Sequence, residues 1–256
     1  MADDRIDPDD PALQPLQINL QPLKGRKVLI TGVANKDSIA YSCARACKAF
    51  GADIAMTYGH EKTRQFTEQL AGALAVDPEL YLPLDIEKPE QLAALFAAIQ
   101  RKWGKLDVVL HAMAFAPRQA LMGAVLDCTL DDFQSMMAVS VHSLIALAKP
   151  AVPLMTAGGS IFTLTYFGSD KVVPHYGIMG PAKSCLEGIV RYLATELGPK
   201  GIRVNAISPG PLLTRAASGI GHFDDVMEMS RQRAREHTLV TPDEIGMAMA
   251  ALACDQ

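Results

Sequence analysis

Short apolar runs alternate with longer segments of helical periodicity from about residue 25 onward. The apolar runs are rich in Val, Ile and Leu and do not alternate with polar residues, so they predict strands that are buried on both faces. The predicted strands are residues 27–32, 53–58, 80–84, 107–112, 160–165 and 203–208.

The segments between these strands carry apolar residues at helical spacing. The predicted helices are residues 38–50, 61–75, 89–103, 130–149, 183–197 and 243–254. Strands that alternate with helices are typical of βαβ units, so we expect one α/β domain, a doubly wound parallel sheet with helices on both faces. Ligands of such sheets lie beyond the carboxyl ends of the strands.

Composition agrees with one domain and excludes several partners. The chain has 256 residues, of which 49% are hydrophobic and 20% are charged, which suits a large single core. The formal net charge of -4 comes without a long basic run, which excludes nucleic acid and anionic membrane surfaces as partners. We find no apolar run near the roughly 18 residues of a membrane span and expect no membrane protein.

Cysteine usage and the first residues point to the cytoplasm. The five cysteines form no C-x-x-C pair, and residues 1–22 are acidic and proline-bearing, unlike a secretory leader. Reduced thiols are therefore expected, with Cys43 and Cys47 as small core residues of a helix and not metal ligands. Residues 1–22 are predicted to form a flexible arm, and residues 23–256 the domain.

Two turns at the strand ends could hold a dinucleotide. The first strand ends in Gly32 and leads into a helix at Ser38, where free N–H groups could bind a pyrophosphate. A G-x-G-x-x-G fingerprint is absent, and an ordinary turn with Ser38 as helix N-cap explains the same residues. The second strand leads into Gly59, which offers neither a carboxylate nor an arginine. His60, Lys62 and Arg64 follow and could favour a phosphate, but such charges at a helix start are more often solvated, so NADH and NADPH both stay open.

Two phenols and an ammonium lie close together along the chain at Tyr166, Tyr176 and Lys183. Pro181 fits only a first helical turn, so the helix should begin near Gly180 and leave Tyr176 in its approach. A lysine can hydrogen-bond a nicotinamide ribose, and its charge makes a phenol a better proton donor and oxyanion stabiliser. This predicts a reductase site, although a half-buried tyrosine and a solvated lysine also explain the pair.

Five motifs in order resemble one known family. They are TGVANKDSIAYS at residues 31–42, Asp85 with Ile86, HAMAFAP at residues 111–117, Tyr166 with Tyr176 and Lys183, and RVNAISPGPLLTRAASGI at residues 203–220. Together they resemble the NAD(P)H-dependent enoyl-acyl-carrier-protein reductases, a divergent branch of the short-chain dehydrogenase/reductases. Six residues separate Tyr176 from Lys183, whereas the commoner branch has three and would place its lysine at position 180, which is glycine here.

The resemblance implies a Rossmann-like fold and a specific reaction. Trans-2-enoyl thioesters of acyl carrier protein would be reduced to saturated acyl thioesters in fatty-acid elongation, with NADH as the expected cofactor and NADPH not excluded. It also implies a cytoplasmic homotetramer. A carbonyl reductase of the same superfamily and a non-catalytic NAD-binding protein are the alternatives.

The resemblance also implies roles for individual residues. Tyr176 would contact the thioester carbonyl, Tyr166 the substrate entry and Lys183 the nicotinamide ribose. The implied cofactor contacts are Gly32, Ser38 and Ile39 at the pyrophosphate and adjoining ribose, Asp85 and Ile86 at the adenine, Ala112, Met113 and Ala114 under the riboses, and Leu212 with Thr214 near the carboxamide and phosphates. Residues 212–236 are predicted to form a mobile flap over the acyl chain, with a plain pair of surface helices as the alternative.

The chain departs from the family pattern without losing a reacting group. Ala114 replaces a common glycine and would narrow the space near the nicotinamide. Gly59 replaces a larger polar residue, and Leu213 replaces an arginine. The resemblance further predicts one more strand beyond Gln256.

Overall fold

The computed structural model describes residues 21–212 and 223–254, with the side chains of residues 223 and 224 left out. Its six strands are all parallel in the order β3-β2-β1-β4-β5-β6. Their bounds are β1 Lys27–Val33, β2 Asp53–Tyr58, β3 Tyr81–Pro83, β4 Val108–His111, β5 Gly159–Leu164 and β6 Ile202–Ile207. The predicted doubly wound parallel sheet is confirmed. The predicted arm lies almost entirely outside the described residues.

Helices cover both faces of the sheet. Their bounds are α1 Ile39–Ala49, α2 Glu61–Ala73, α3 Pro89–Lys102, α4 Arg118–Met122, α5 Leu130–Met137, α6 Ser143–Ala151, α7 Met179–Leu197, α8 Phe223–Arg233 and α9 Pro242–Ala253. The start of α7 agrees with the position of Pro181 in its first turn. The five-residue α4 was not predicted, because so short a segment shows no periodicity.

Adjacent residues of the central strand contribute to opposite cores. Leu29 belongs to one buried cluster with residues of α3, α6 and α7, whereas Ile30 belongs to the other with residues of α1 and α9. Successive strand side chains point to opposite faces, so a strand between two helical layers must be apolar throughout. The apolar residues of β1 therefore follow one another because the strand is buried on both faces, as the sequence predicted.

The predicted helix over residues 130–149 is interrupted by a π-helical segment. Ala138–His142 forms this segment between α5 and α6, and a 3-10 turn follows at Val152–Leu154. The whole stretch Leu130–Leu154 has 25 residues and a mean hydropathy of 1.4 in its most apolar window, enough by length and composition to cross a membrane, contrary to the expectation above. Its inward side chains, including Leu144 and Leu147, are packed in the core, and a core helix passes the same test.

Candidate active site

The carboxyl ends of the strands open into a cavity of about 780 Å³. The residues that line it include most of the predicted site: Gly32, Ile39, Asp85, Ile86, Ala112, Met113, Ala114, Tyr166, Tyr176, Lys183 and Leu212. Ser38 is not among the lining residues, and Thr214 lies outside the described part of the chain. The cavity lies where a doubly wound sheet binds its ligand.

Gly32 makes a close approach between two strand ends possible. Its φ is +77°, and a Cβ there would lie 2.0 Å from the backbone oxygen of Ala112. A side chain is therefore excluded on both conformational and steric grounds. Next to it, the Thr31 hydroxyl donates to Leu110 O at 2.8 Å, which holds β1 and β4 together beside the cavity-lining Gly32.

Ser38 is the N-cap of α1. Its hydroxyl oxygen accepts a hydrogen bond from the Tyr41 N–H at 3.4 Å, and its hydroxyl donates to Asn35 O at 2.7 Å. The N-cap interpretation of the sequence is confirmed. A contact between Ser38 and a cofactor stays a prediction, while Ile39 at the start of the helix does line the cavity.

The loop after β4 is fixed by the π-helical segment. The Ser140 hydroxyl donates to Phe115 O at 2.7 Å and accepts from Phe115 N at 2.9 Å, so one side chain satisfies both backbone groups of the loop residue. π-Helical insertions in α-helices are frequent at functional sites. The sequence analysis did not identify Ser140, because apolar periodicity continues through residues 130–149.

His111 at the end of β4 is enclosed beneath the same loop. Its ring nitrogens lie 2.8 Å from the Thr163 hydroxyl and 2.7 Å from the Ser143 hydroxyl. Burial, followed by the nearby Lys183 ammonium, lowers the pKa of His111 to about 3. The ring is therefore neutral at physiological pH and joins β4, β5 and α6 as a hydrogen-bonded support.

Tyr176 and Lys183 both lie on the cavity wall and are 8% and 6% exposed. The Lys183 ammonium donates to Leu164 O at 2.8 Å. Burial lowers the pKa of Lys183 to about 8, an effect that Glu187 opposes. Burial, followed by the neighbouring Tyr166, raises the pKa of Tyr176. The phenol is therefore a neutral donor at physiological pH, and the expected activation of Tyr176 by the lysine charge is not what governs its pKa here.

Tyr166 packs edge-to-face on Tyr176. The ring centroids are 4.9 Å apart with an interplanar angle of 61°, a favourable aromatic geometry. Behind the Tyr176 ring lies Gly168, where a Cβ would come within 2.5 Å of Cδ1 of that ring. Gly180 in the first turn of α7 is equally constrained, because its Cβ would lie 2.9 Å from Gly168 O. The turn Phe167–Ser169 therefore packs against the Tyr176 ring at Gly168 and against the first turn of α7 at Gly180.

The far end of the cavity, beyond β2 and β3, is bordered by Gly59, His60 and Asp85. A Cβ at Gly59 would have no neighbour within 4 Å, so this end is open. Of the basic residues that follow β2, Lys62 is exposed, and the Arg64 guanidinium lies 3.3 Å from Glu68 and 3.8 Å from Glu61. These two carboxylates offset its positive charge.

Leu212 and Val226 close the cavity from the side of the predicted flap. Both are buried, and both line the cavity, although they lie on either side of the undescribed residues 213–222. Their positions agree with a cover over the site. The flap over residues 212–236 stays a prediction.

The cysteines lie away from this chemistry. Cys43 and Cys47 are buried in α1, as their spacing predicted, and burial raises the pKa of both thiols. Within residues 21–212 and 223–254, no group of three or more His, Cys, Asp or Glu residues could hold a metal ion.

Comparison with known proteins gives one consistent result. Residues 32–256 match the family model described as enoyl-(acyl carrier protein) reductase. An NADH enoyl-acyl-carrier-protein reductase of Synechocystis is 43% identical over 240 residues, which cover 91% of each chain.

Two solved structures are similar in sequence and in fold. The enoyl-acyl-carrier-protein reductase of Anaplasma phagocytophilum, in complex with NAD, is 40% identical with a TM-score of 0.87, covering 93% of this chain and 90% of that one. That of Bacillus cereus, with NADP+ and an indole naphthyridinone, is 40% identical with a TM-score of 0.88, covering 92% and 91%.

Proposed function

The chain belongs to the enoyl-acyl-carrier-protein reductase family, and from that premise we propose that it reduces trans-2-enoyl thioesters of acyl carrier protein with NADH in fatty-acid elongation. The observation that carries the proposal is the burial of Tyr176 and Lys183 together on one wall of the cavity at the strand ends. Structural neighbours that contain NAD or NADP+ support a dinucleotide in the same fold.

The residues on the cavity wall fit a dinucleotide. Gly32 leaves backbone exposed where a side chain would block close approach, and the cavity runs from Asp85 and Ile86 to Lys183. We assign the adenine to the end at Asp85 and Ile86, and the nicotinamide ribose to the ammonium of Lys183. This ammonium has three N–H donors, and the bond to Leu164 O uses one of them. When bound, NADH supplies a hydride for the β-carbon of the enoyl group.

Tyr176 then acts on the substrate oxygen. Its neutral phenol donates a hydrogen bond to the thioester carbonyl, and this bond strengthens as negative charge develops on the enolate oxygen. Protonation of the α-carbon completes the reduction. Tyr166 holds the Tyr176 ring by its edge contact and borders the same cavity at the substrate side.

A spectrophotometric assay tests this function. Loss of NADH absorbance with a crotonyl thioester is the expected result, and a 3-oxoacyl thioester and a simple ketone serve as the comparison substrates. Turnover of only the ketone or 3-oxoacyl substrate would instead identify a carbonyl reductase. Thermal stabilisation by NADH without turnover of any substrate would identify a non-catalytic NAD-binding protein.

For the cofactor, we expect NADH to bind at least about 10-fold more tightly than NADPH. A 2'-phosphate gains little from Arg64, because Glu61 and Glu68 already offset its charge. Dissociation constants for both cofactors, measured by fluorescence titration at one ionic strength, check this. Equal or tighter binding of NADPH would contradict the expectation. The comparison is needed because the Bacillus cereus relative was solved with NADP+.

Replacing Gly168 by alanine is expected to lower kcat by about 10- to 100-fold. The added Cβ would lie 2.5 Å from Cδ1 and 2.8 Å from Cε1 of Tyr176, so the ring must move, and a displacement of about 1 Å can cost about 100-fold in rate. Gly198→Ala is the matched control, since a Cβ there meets nothing within 4 Å and its φ of -52° suits alanine. A Gly168→Ala enzyme with the kcat of that control would show that the ring tolerates the methyl group.

Assembly and location complete the proposal. Ile145 on α6 and Tyr192 on α7 expose apolar surface, with Ile189 and Leu193 partly buried between them, which supports contact with further copies in a homotetramer. Light scattering on the full chain should give four times the chain mass, and a monomer would contradict it. The free cysteines, two of them buried in α1, fit a cytoplasmic location, and acyl carrier protein is the proposed partner that delivers the substrate there.

A further inference from the structure

Two consecutive residues at the end of β5 hold two residues of α7 that lie one turn apart. Leu164 O accepts the hydrogen bond from the Lys183 ammonium at 2.8 Å. The hydroxyl of the next residue, Thr165, donates to Oε1 of Glu187 at 2.6 Å. Thr165 is itself fixed, because its side chain is buried and its N–H donates to Ile207 O of β6 at 2.9 Å.

The helix brings the two charges together. Residues four apart in an α-helix lie on the same face, and α7 runs without interruption from Met179–Leu197. The Glu187 carboxylate is therefore a neighbour of the Lys183 ammonium, and its hydrogen bond to Thr165 keeps it from turning out to solvent.

In the described part of the chain, the other titratable groups beside Lys183 are neutral. His111 on β4 has a pKa lowered to about 3, and Tyr176 in the approach to α7 has a raised pKa. The end of β5 contributes the Leu164 carbonyl, and Thr165 just beyond the strand contributes its hydroxyl. Among the described residues, Glu187 is the carboxylate whose charge acts on Lys183, and it opposes the effect of burial on the pKa of that lysine.

We propose that Glu187, oriented by Thr165, is a positioning residue that keeps Lys183 charged and directed for cofactor binding. Burial alone favours the neutral amine, which would lose a donor and its attraction to the dinucleotide. The carboxylate adds the compensating negative charge from outside the cavity, since Glu187 is not one of the residues that line it. The inference rests on the proposed NADH function, but it concerns the protonation of the chain's own lysine.

The test is the pH dependence of NADH binding, measured by fluorescence titration from about pH 6 to about pH 10. Glu187→Gln preserves the shape and the bond from Thr165 but removes the charge. We expect its dissociation constant to rise with pH about one unit earlier than in the unmodified chain, because a nearby opposite charge shifts a pKa by about that much. Thr165→Val, which frees the carboxylate to move, should shift the curve in the same direction by less.

Controls separate positioning from a purely structural role. Glu90→Gln removes one carboxylate from the exposed first turn of α3 and should leave the binding curve unchanged. If the dissociation constant of Glu187→Gln rises at the same pH as that of the unmodified chain, the inference is overturned. This holds even if the variant melts at a lower temperature. An unmodified chain that binds no NADH at any pH would overturn both this inference and the proposed function.

Discussion

Tyr176→Phe is expected to lower kcat by about 10²- to 10³-fold while the dissociation constant for NADH changes by less than about twofold. The variant keeps the ring, and with it the edge contact to Tyr166, but removes the group that donates to the substrate oxygen. Because that hydrogen bond is strongest when the enolate forms, its loss is felt in turnover and not in cofactor binding.

Two further tyrosine variants make the result decisive. Tyr192 on α7 is 83% exposed. Tyr192→Phe removes its hydroxyl and should leave kcat unchanged. Tyr166→Phe should cost less than Tyr176→Phe, since Tyr166 is assigned to the entry. If Tyr166→Phe proved the more damaging, the two phenols would have to exchange roles.

Lys183→Ala is expected to weaken NADH binding by about 10- to 100-fold, because a hydrogen bond from a charged donor is worth about 1.5–3 kcal/mol. Lys183→Met is the matched variant, since it keeps an apolar stem in the buried position and should show the same loss in affinity. Fluorescence titration with NADH measures both. A dissociation constant that stays unchanged in Lys183→Met would remove this lysine from the cofactor site.

The same lysine gives the binding a pH dependence. Since the pKa of Lys183 is lowered to about 8 by burial, the ammonium predominates below that pH and the neutral amine above it. NADH affinity in the unmodified chain should therefore fall as the pH rises through this region, and Lys183→Met should lose that dependence. Lys200→Ala in the exposed turn after α7 provides a control that changes charge away from the cavity.

The sequence predicted the sheet well because its inner strands β1, β2, β4 and β5 are buried on both faces, although β6 exposes Arg203 and Asn205 and β3 is only partly buried. An apolar run such as residues 28–30 of β1 is expected of a strand enclosed by helices on both faces, and the cavity begins at Gly32 near the end of this strand. Helix α7 was predicted to begin near Gly180 for a local reason, the missing N–H of Pro181, and the structure agrees, since α7 begins at Met179. Such local rules locate elements and their ends.

Contacts between distant elements could not be predicted in this way. The Ser140 hydroxyl meets Phe115 only because the helix widens at Ala138–His142, and apolar spacing does not report that widening. The pair Thr165 and Glu187 is likewise set by how α7 crosses the end of β5. Ser38 illustrates the reverse case, since the more ordinary of its two interpretations, a helix cap, is the one that the structure confirms.

The contact between Gly168 and Gly180 limits how this catalyst could be redesigned. Moving the lysine from position 183 to position 180, the spacing of the commoner branch, would force a side chain against the carbonyl oxygen of Gly168, 2.9 Å from the new Cβ. Relief by shifting the Phe167–Ser169 turn would disturb the surface on which the Tyr176 ring rests. Conversion between the two branches through position 180 therefore requires the turn and the start of α7 to shift together.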